Sequence, residues 1–476
     1  MMTPMIRTLA AVAAAGAVAA LASTVPAHAA PDPGEAQYRA IFKEMVETDT
    51  SVESGSCTVL TDKIAARMKA AGYPEANLHL FVPEGNPKAG ALVAVYPGRD
   101  PTLKAVLLLG HIDVVNARRA DWTRDPYTLI EEGGYFYARG TADMKAQDAI
   151  YVDSQLRYHA AKYKPLRTIK MALTCGEEGG FLNGARWLVD NQRDLIDAAF
   201  ALNEGGYGET DAQGNRTNQN IQAAQKVVMG FTFATTNPGG HSSVPRPDNA
   251  IYSLARALDK LGRHEFPVQF IEANRGYFAK MAKIVGGEDG AAMATIVDHP
   301  DDVHANAILN RSPNWHSMLR TTCVATMMTA GHAANALPQS ASATVNCRVI
   351  PGVPPAEILA TLVRIVDDPA VTITPGRSGY TSSPPAPLTP RIMAPLQAMS
   401  QKIWPGVPVV PNMATGATDA VTLNAAGIPT YGVTGLFRDP DGNGAHGLNE
   451  RIRIRSVLEG RRFLYGLIQA YADQKD

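Results

Sequence analysis

Three short stretches of this chain carry the residue types of a hydrolytic metal centre, and all three have the same local setting. Gly110-His111-Ile112-Asp113 follows the apolar run 105–109, Cys175-Gly176-Glu177-Glu178-Gly179-Gly180 follows 169–174, and Glu204-Gly205-Gly206 follows 198–203. A short apolar run that stops at glycine reads as a buried strand, so one imidazole and three glutamates fall at strand ends. Imidazole and carboxylate are the donors that zinc takes in hydrolytic sites. Two adjacent carboxylates repel each other until a cation or a proton relieves them. Asp113 stands two residues beyond His111, where it can hold the ring nitrogen that His111 keeps from a metal and so fix the tautomer. His-x-Asp alone is a weak signal, and Glu177-Glu178 alone reads as a solvated acidic turn. The convergence carries the argument. In a parallel sheet with helical crossovers the strand ends line one edge, and open α/β sheets gather ligands there. Asp143 adds a carboxylate at the head of a helix expected over 145–163.

The elements that must position these groups follow from periodicity. Tyr38, Ile41, Phe42 and Met45 recur at helical spacing, and residues 60–71 read as a second helix. Near Ala223 the texture changes: 227–235, 318–328 and 340–349 read as sheet, with helices over 249–261 and 272–285. After Pro351 the α/β pattern resumes, and it closes in an amphipathic helix over 452–471. The expected fold class is α/β: a mixed-sheet catalytic domain over 30–222 and 351–476, interrupted by an inserted α+β block over 223–350.

The 476 residues are 45% hydrophobic and 19% charged, with a net charge of -1. That supports two domains and gives no electrostatic footprint for nucleic acid or an anionic membrane. Arg7, the apolar run 8–22 and Ala27-His28-Ala29 read as a secretory signal peptide over 1–29, so an exported protein, periplasmic or secreted, is expected. No later stretch reaches about 18 consecutive apolar residues, so no membrane segment is expected after cleavage. Export permits disulfides among Cys57, Cys175, Cys323 and Cys347. Cys323 and Cys347 lie on segments that can pair as neighbouring strands.

Taken in chain order, His111-x-Asp113, Arg139-Gly140-x-x-Asp143-Met144-Lys145, Gly176-Glu177-Glu178-Gly179, Asn203-Glu204-Gly205, Gly239-Gly240-His241-Ser242, Arg348-x-x-Pro351-Gly352, Gly416-x-x-Asp419 and Gly444-x-His446-x-x-x-Glu450 form a series. It resembles that of the di-zinc metallopeptidases that include aminoacylase, carboxypeptidase G and succinyl-diaminopimelate desuccinylase. The resemblance implies a zinc-exopeptidase-like catalytic domain with an inserted lid or dimerisation domain. It implies two zinc ions per chain, with cobalt or manganese as substitutes. Asp143 would bridge them, His111 and Glu204 would complete one metal, and Glu178 and His446 the other. Glu177 would be the general base, Asp113 would orient His111, and a cis peptide would follow Asp143. Three carboxylates against two dications leave one positive charge, which favours a bound hydroxide as nucleophile. His241 would stabilise the oxyanion, supplied by a partner subunit or by domain closure. Arg348 would grip a substrate carboxylate, with Asn335 in the same pocket. Read singly, His241 is also a plain loop histidine, Arg348 an ion-pair partner, Asn335 a turn residue before Pro338, and Asp419 a charge at a helix N-terminus.

The resemblance thus implies a secreted hydrolase of amide bonds in peptides or N-acyl amino acids that bear a free carboxylate, of carboxypeptidase, dipeptidase or aminoacylase type. The inserted block leaves room for a homodimer. The runner-up is an N-deacetylase or desuccinylase of amino-acid metabolism, against which an export signal argues. A non-catalytic ligand-binding relative would lack a ligand or the base, and none is missing here.

Overall fold

Apolar strands buried on both faces cannot alternate, and the centre of this fold is built from such strands. In the computed structural model, which describes residues 33–180, 182–376 and 383–475, every residue of Val106–His111 is buried, as are all but Lys170 of Ile169–Thr174 and all of Phe200–Asn203. The leader expected over 1–29 lies outside the described residues. Val106–His111 pairs in parallel with Ile169–Thr174 on one side and Phe200–Asn203 on the other, and Thr430–Gly432 extends the parallel set. Antiparallel strands Ala91–Tyr96 and Leu78–Phe81 close one edge. The far side carries Arg216–Gln225, Gly208–Thr210 and Phe437–Arg438, with Val409–Ala414 beside Arg216–Gln225. The ten-stranded sheet is therefore mixed, as expected.

Helix Lys145–Ala160 is buried on nearly every side, because the sheet lies beneath it and helix Ile454–Ala472 packs against it. One ion pair crosses that helix contact: Arg461 Nε lies 2.8 Å from Asp153 Oδ2, and both side chains are fully buried.

A second, four-stranded antiparallel sheet runs in the order Thr322–Ala330, Ser340–Val349, Val227–Thr236, Thr372–Pro375. Its strands do alternate. Odd-numbered positions of Val227–Thr236 are buried and most even-numbered ones are half-buried. Helix Ala250–Arg263 packs against this sheet, and helix Pro355–Val366 packs on that helix. Thr372–Pro375 and Pro355–Val366 carry this layer beyond residue 350. Thr372-Ile373-Thr374-Pro375 is too short a run to stand out as a strand in the sequence. Thr322–Ala330 is the edge strand, and all but its first two residues are exposed.

Cys323 and Cys347 are cross-strand partners and are bonded to each other. Cys57 and Cys175 form a second disulfide, tying the start of helix Cys57–Ala70 to the loop that carries Glu177. Among the described residues no helix is long and apolar enough to cross a membrane.

Breaking a buried ion pair by removing one partner costs about 3–5 kcal/mol, because the other charge stays buried alone. Asp153→Ala is therefore expected to lower stability by about that amount. Urea unfolding followed by circular dichroism measures it, and an unchanged midpoint would show that the pair does not hold the final helix in place.

Candidate metal centre

His111 is the last residue of its strand and is buried to 1% exposure. Gly110 must precede it without a side chain, since a Cβ there would lie 1.8 Å from Asp148 Oδ1. His111 Nδ1 lies 3.1 Å from the Asp113 carbonyl oxygen and 3.7 Å from its carboxylate, which leaves Nε2 facing the cleft. The Asp113 carboxylate meanwhile accepts the backbone N–H groups of Glu177 at 3.4 Å and Glu178 at 2.9 Å. Asp113 therefore pins two strand ends at once.

Asp143 sits between the two histidines. Its Oδ1 is 3.2 Å from His111 Nε2, and its Oδ2 is 3.2 Å from His446 Nε2. Glu204 Oε1 is 3.7 Å from His111 Nε2, and Glu178 Oε2 is 2.8 Å from His446 Nε2. Glu177 has a carboxylate oxygen grouped with His111 and Glu204 donor atoms, all within 4.8 Å of one another. The fold thus brings His111, Asp143, Glu177, Glu178, Glu204 and His446 into one cleft from five separate segments. The Asp143–Met144 peptide is cis.

What holds the Asp143 segment is Glu450, whose motif is visible in the sequence although its task is not. Its carboxylate accepts the N–H groups of Gly140, Ala142 and Asp143 at 3.0, 2.7 and 3.1 Å, and takes Arg139 Nη1 at 2.7 Å. Tyr207 donates its hydroxyl to the Ala142 carbonyl at 2.5 Å. Asp419 is buried at the same cleft, where Asn183 Nδ2 donates to its Oδ1 at 2.6 Å.

Like charges dominate the electrostatics. Burial pushes Glu177 up to about 9, with Glu204, Asp419 and Glu178 adding to the effect. Burial pushes Glu178 up to about 7, helped by Asp143. Glu204 is raised by burial as well. Burial opposes charge on Asp143 too, but hydrogen bonds from His111 and His446 hold its carboxyl well below the usual range. The same bond to Asp143, with Glu178 adding to it, lifts His446 to about 9. Without cations, protons must therefore relieve the carboxylates. Two imidazoles and several carboxylates, with no thiolate among them, fit a pair of divalent cations, one facing His111, Asp143 and Glu204 and the other facing His446, Asp143 and Glu178.

The remaining expected site residues lie on the second layer. His241 is exposed in a two-residue strand paired with Ala336–Leu337, and Asn335 accepts the Ser242 N–H at 3.0 Å. Arg348 is half-buried on Ser340–Val349. Among the described residues none of the three hydrogen-bonds or ion-pairs with the cleft carboxylates.

The chain is similar to known proteins over most of its length. The model of Peptidase family M20/M25/M40 matches residues 107–470. The mouse N-fatty-acyl-amino acid synthase/hydrolase PM20D1 is 28% identical over 383 residues, covering 78% of this chain and 75% of that protein. The probable carboxypeptidase S-like 2 of Dictyostelium discoideum is 28% identical over 401 residues, covering 80% and 74%. Among solved structures, the M20 family metallo-carboxypeptidase Sso-CP2 of Sulfolobus solfataricus superposes with a TM-score of 0.66 at 16% identity, covering 92% of this chain and 99% of that one. A dinuclear metal-binding peptidase of the M20 family from Bacillus subtilis superposes at 0.59 with 10% identity, covering 91% and 97%.

A pH dependence follows for the metal-free protein. Folded Glu177 and Glu178 keep protons to about 9 and about 7, against 4.5 for an ordinary glutamate, and His446 keeps one to about 9 against 6.5. Between about pH 5 and pH 9 the folded chain therefore binds more protons than the unfolded one, and its stability falls as pH rises. Asp143 has the opposite sign but acts only below about pH 4. Divalent cations replace those protons, so the gap in melting temperature between zinc-loaded and chelated protein should widen from about pH 5 to about pH 9. A gap that stays constant with pH would show that the carboxylates titrate normally.

Proposed function

Because this chain belongs to Peptidase family M20/M25/M40 and is a metal-dependent hydrolase of amide bonds, we propose that it cleaves peptides or N-acyl amino acids that end in a free carboxylate. The observation that carries the reading is Asp143, with one oxygen toward each of two imidazoles. Such a carboxylate is the natural bridge between two cations. His111 and Glu204 would complete one metal position, and Glu178 and His446 the other, with zinc the default occupant. When bound, the metal pair supplies Lewis acidity toward the amide carbonyl and lowers the pKa of water toward roughly 7.

The chain's own residues do the rest. A Glu177 carboxylate oxygen takes a proton from the attacking water and returns it to the leaving nitrogen. Asp113 fixes the loop that carries Glu177 and Glu178 through their backbone N–H groups. His241 donates to the developing oxyanion, a contribution of about 3 kcal/mol. Its exposed place on the second layer is consistent with delivery by closure or by a partner subunit. Arg348 grips the substrate carboxylate through two parallel hydrogen bonds, a geometry Lys does not offer. Asn335 adds a neutral hydrogen bond in the same pocket.

Two further parts of the proposal concern the setting. Export is supported by the leader-like residues 1–29 and by two disulfides, which persist in oxidising compartments. A homodimer through the second layer is supported by the exposed edge strand Thr322–Ala330, with Val324, Met327 and Met328 open to solvent. Terminal sequencing of exported protein should begin at Ala30, and light scattering should give twice the chain mass. An uncleaved, cell-retained product or a monomer would remove the corresponding part.

The central test is steady-state hydrolysis of a panel of dipeptides and N-acyl amino acids by zinc-loaded protein, alongside Glu177→Ala. The wild type should turn over members of the panel and lose activity on chelation. The variant should retain about two metals per chain yet lose nearly all turnover, by about a thousandfold or more. Wild-type rates in Glu177→Ala would eliminate it as the base.

A further inference from the structure

The root of the second sheet holds three cations in close company and very little to balance them. Lys226 is fully buried immediately before strand Val227–Thr236. Among the described residues its ammonium donates only to two hydroxyls, Ser317 Oγ at 3.1 Å and Thr322 Oγ1 at 3.3 Å. Thr322 is the cross-strand partner of Arg348, and Arg348 also faces Val228 on its other side. Residues directly opposite in an antiparallel pair point to the same face, as do residues two apart on one strand. Thr322 and Arg348 therefore share one face of the sheet, which Lys226 reaches through Thr322 from just before its strand, with Arg320 two residues ahead of Thr322. Arg320 is matched by Glu265 and by Asn306 Oδ1 at 2.5 Å. Among the described residues the Arg348 guanidinium has neither a hydrogen bond nor an ion pair, and Lys226 has no carboxylate partner.

A buried ammonium with neutral partners has lost its hydration without a counter-charge. Burial, and then the nearby guanidinium groups of Arg348 and Arg320, push Lys226 down to about 7. An anion reaching Arg348 would supply the missing charge to both groups. We propose that Lys226 is a specificity-determining, positioning residue for the substrate carboxylate: seated behind Thr322, it provides the second positive charge of the subsite whose gripping group is Arg348. The proposal rests on the reading of Arg348 given above. Lys226 is closed off by Ser317 and Thr322 and does not touch substrate; it acts on the carboxylate through the field at Arg348. The subsite consequently favours substrates with an ionised terminus over those with an amide or ester there.

The test uses zinc-loaded, full-length protein and an N-acyl amino acid that the wild type hydrolyses, with the carboxamide of the same compound as a competitive inhibitor. Lys226→Met is expected to raise KM for the free acid about tenfold, without a matching fall in kcat, and to leave inhibition by the carboxamide unchanged. Lys226→Arg should restore KM. Lys226→Gln can keep both hydroxyl contacts without the charge, so it should behave like Lys226→Met. If Lys226→Gln retains the wild-type KM, or if Lys226→Met weakens acid and carboxamide equally, the charge of Lys226 does not select the carboxylate and the proposal falls. Arg348→Ala separates the two readings. A raised KM in Arg348→Ala with an unaltered KM in the Lys226 variants overturns the role of Lys226 alone. An unaltered KM in Arg348→Ala overturns the carboxylate role of Arg348, and the proposal falls with it.

Discussion

Mutual repulsion among carboxylates is the constraint around which this molecule is arranged. Asp113, Asp143, Glu177, Glu178, Glu204 and Asp419 converge on one cleft that burial has largely stripped of water. Left to itself such a cluster would spread apart or take up protons. Four of its members are instead held from behind. The Glu177 and Glu178 backbone is fastened by Asp113, Asp419 by Asn183, and the Asp143 segment by the three N–H bonds to Glu450. Helix Cys57–Ala70 is bonded to Cys175 just ahead of the two glutamates. The scaffold thus spends its hydrogen bonds on keeping anions together, which is worthwhile only where cations are to be held.

Much of this was legible in the sequence because it depends on local pattern. An apolar run stopped by glycine marks a strand end, and three such ends carrying His111, Glu177-Glu178 and Glu204 predicted their meeting on one sheet edge. A change of texture near Ala223 and the Thr, Val and Ala content of 318–328 and 340–349 marked the antiparallel layer, and the possible pairing of the latter two segments made Cys323 and Cys347 the best disulfide candidates. What was not legible depends on contacts between distant parts. Cys57 and Cys175 are 118 residues apart, with nothing in their flanks to join them. Glu450 is an ordinary acidic residue near a histidine until Gly140, Ala142 and Asp143 turn their N–H groups toward it. Lys226 reads as a charged residue at the start of a strand, where solvent exposure is the usual state, and only the packing of Ser317 and Thr322 over it reveals its burial.

The two layers divide the labour. The mixed sheet supplies the donor set on rigid strand ends, where side-chain positions are well determined. The antiparallel layer carries His241, Asn335 and Arg348, the residues proposed above to meet the substrate. On that proposal the metal donors sit on one layer, and the groups that meet the substrate sit on the other.

The order of parts along the chain has a consequence for biosynthesis. His111, Asp143, Glu178 and Glu204 all leave the ribosome well before His446 and Glu450. A nascent polypeptide therefore carries most of the cleft's donor groups while lacking both the second imidazole and the clasp that shapes the Asp143 segment. The cleft is complete only once the stretch around residue 450 has been translated and has docked against the Asp143 segment.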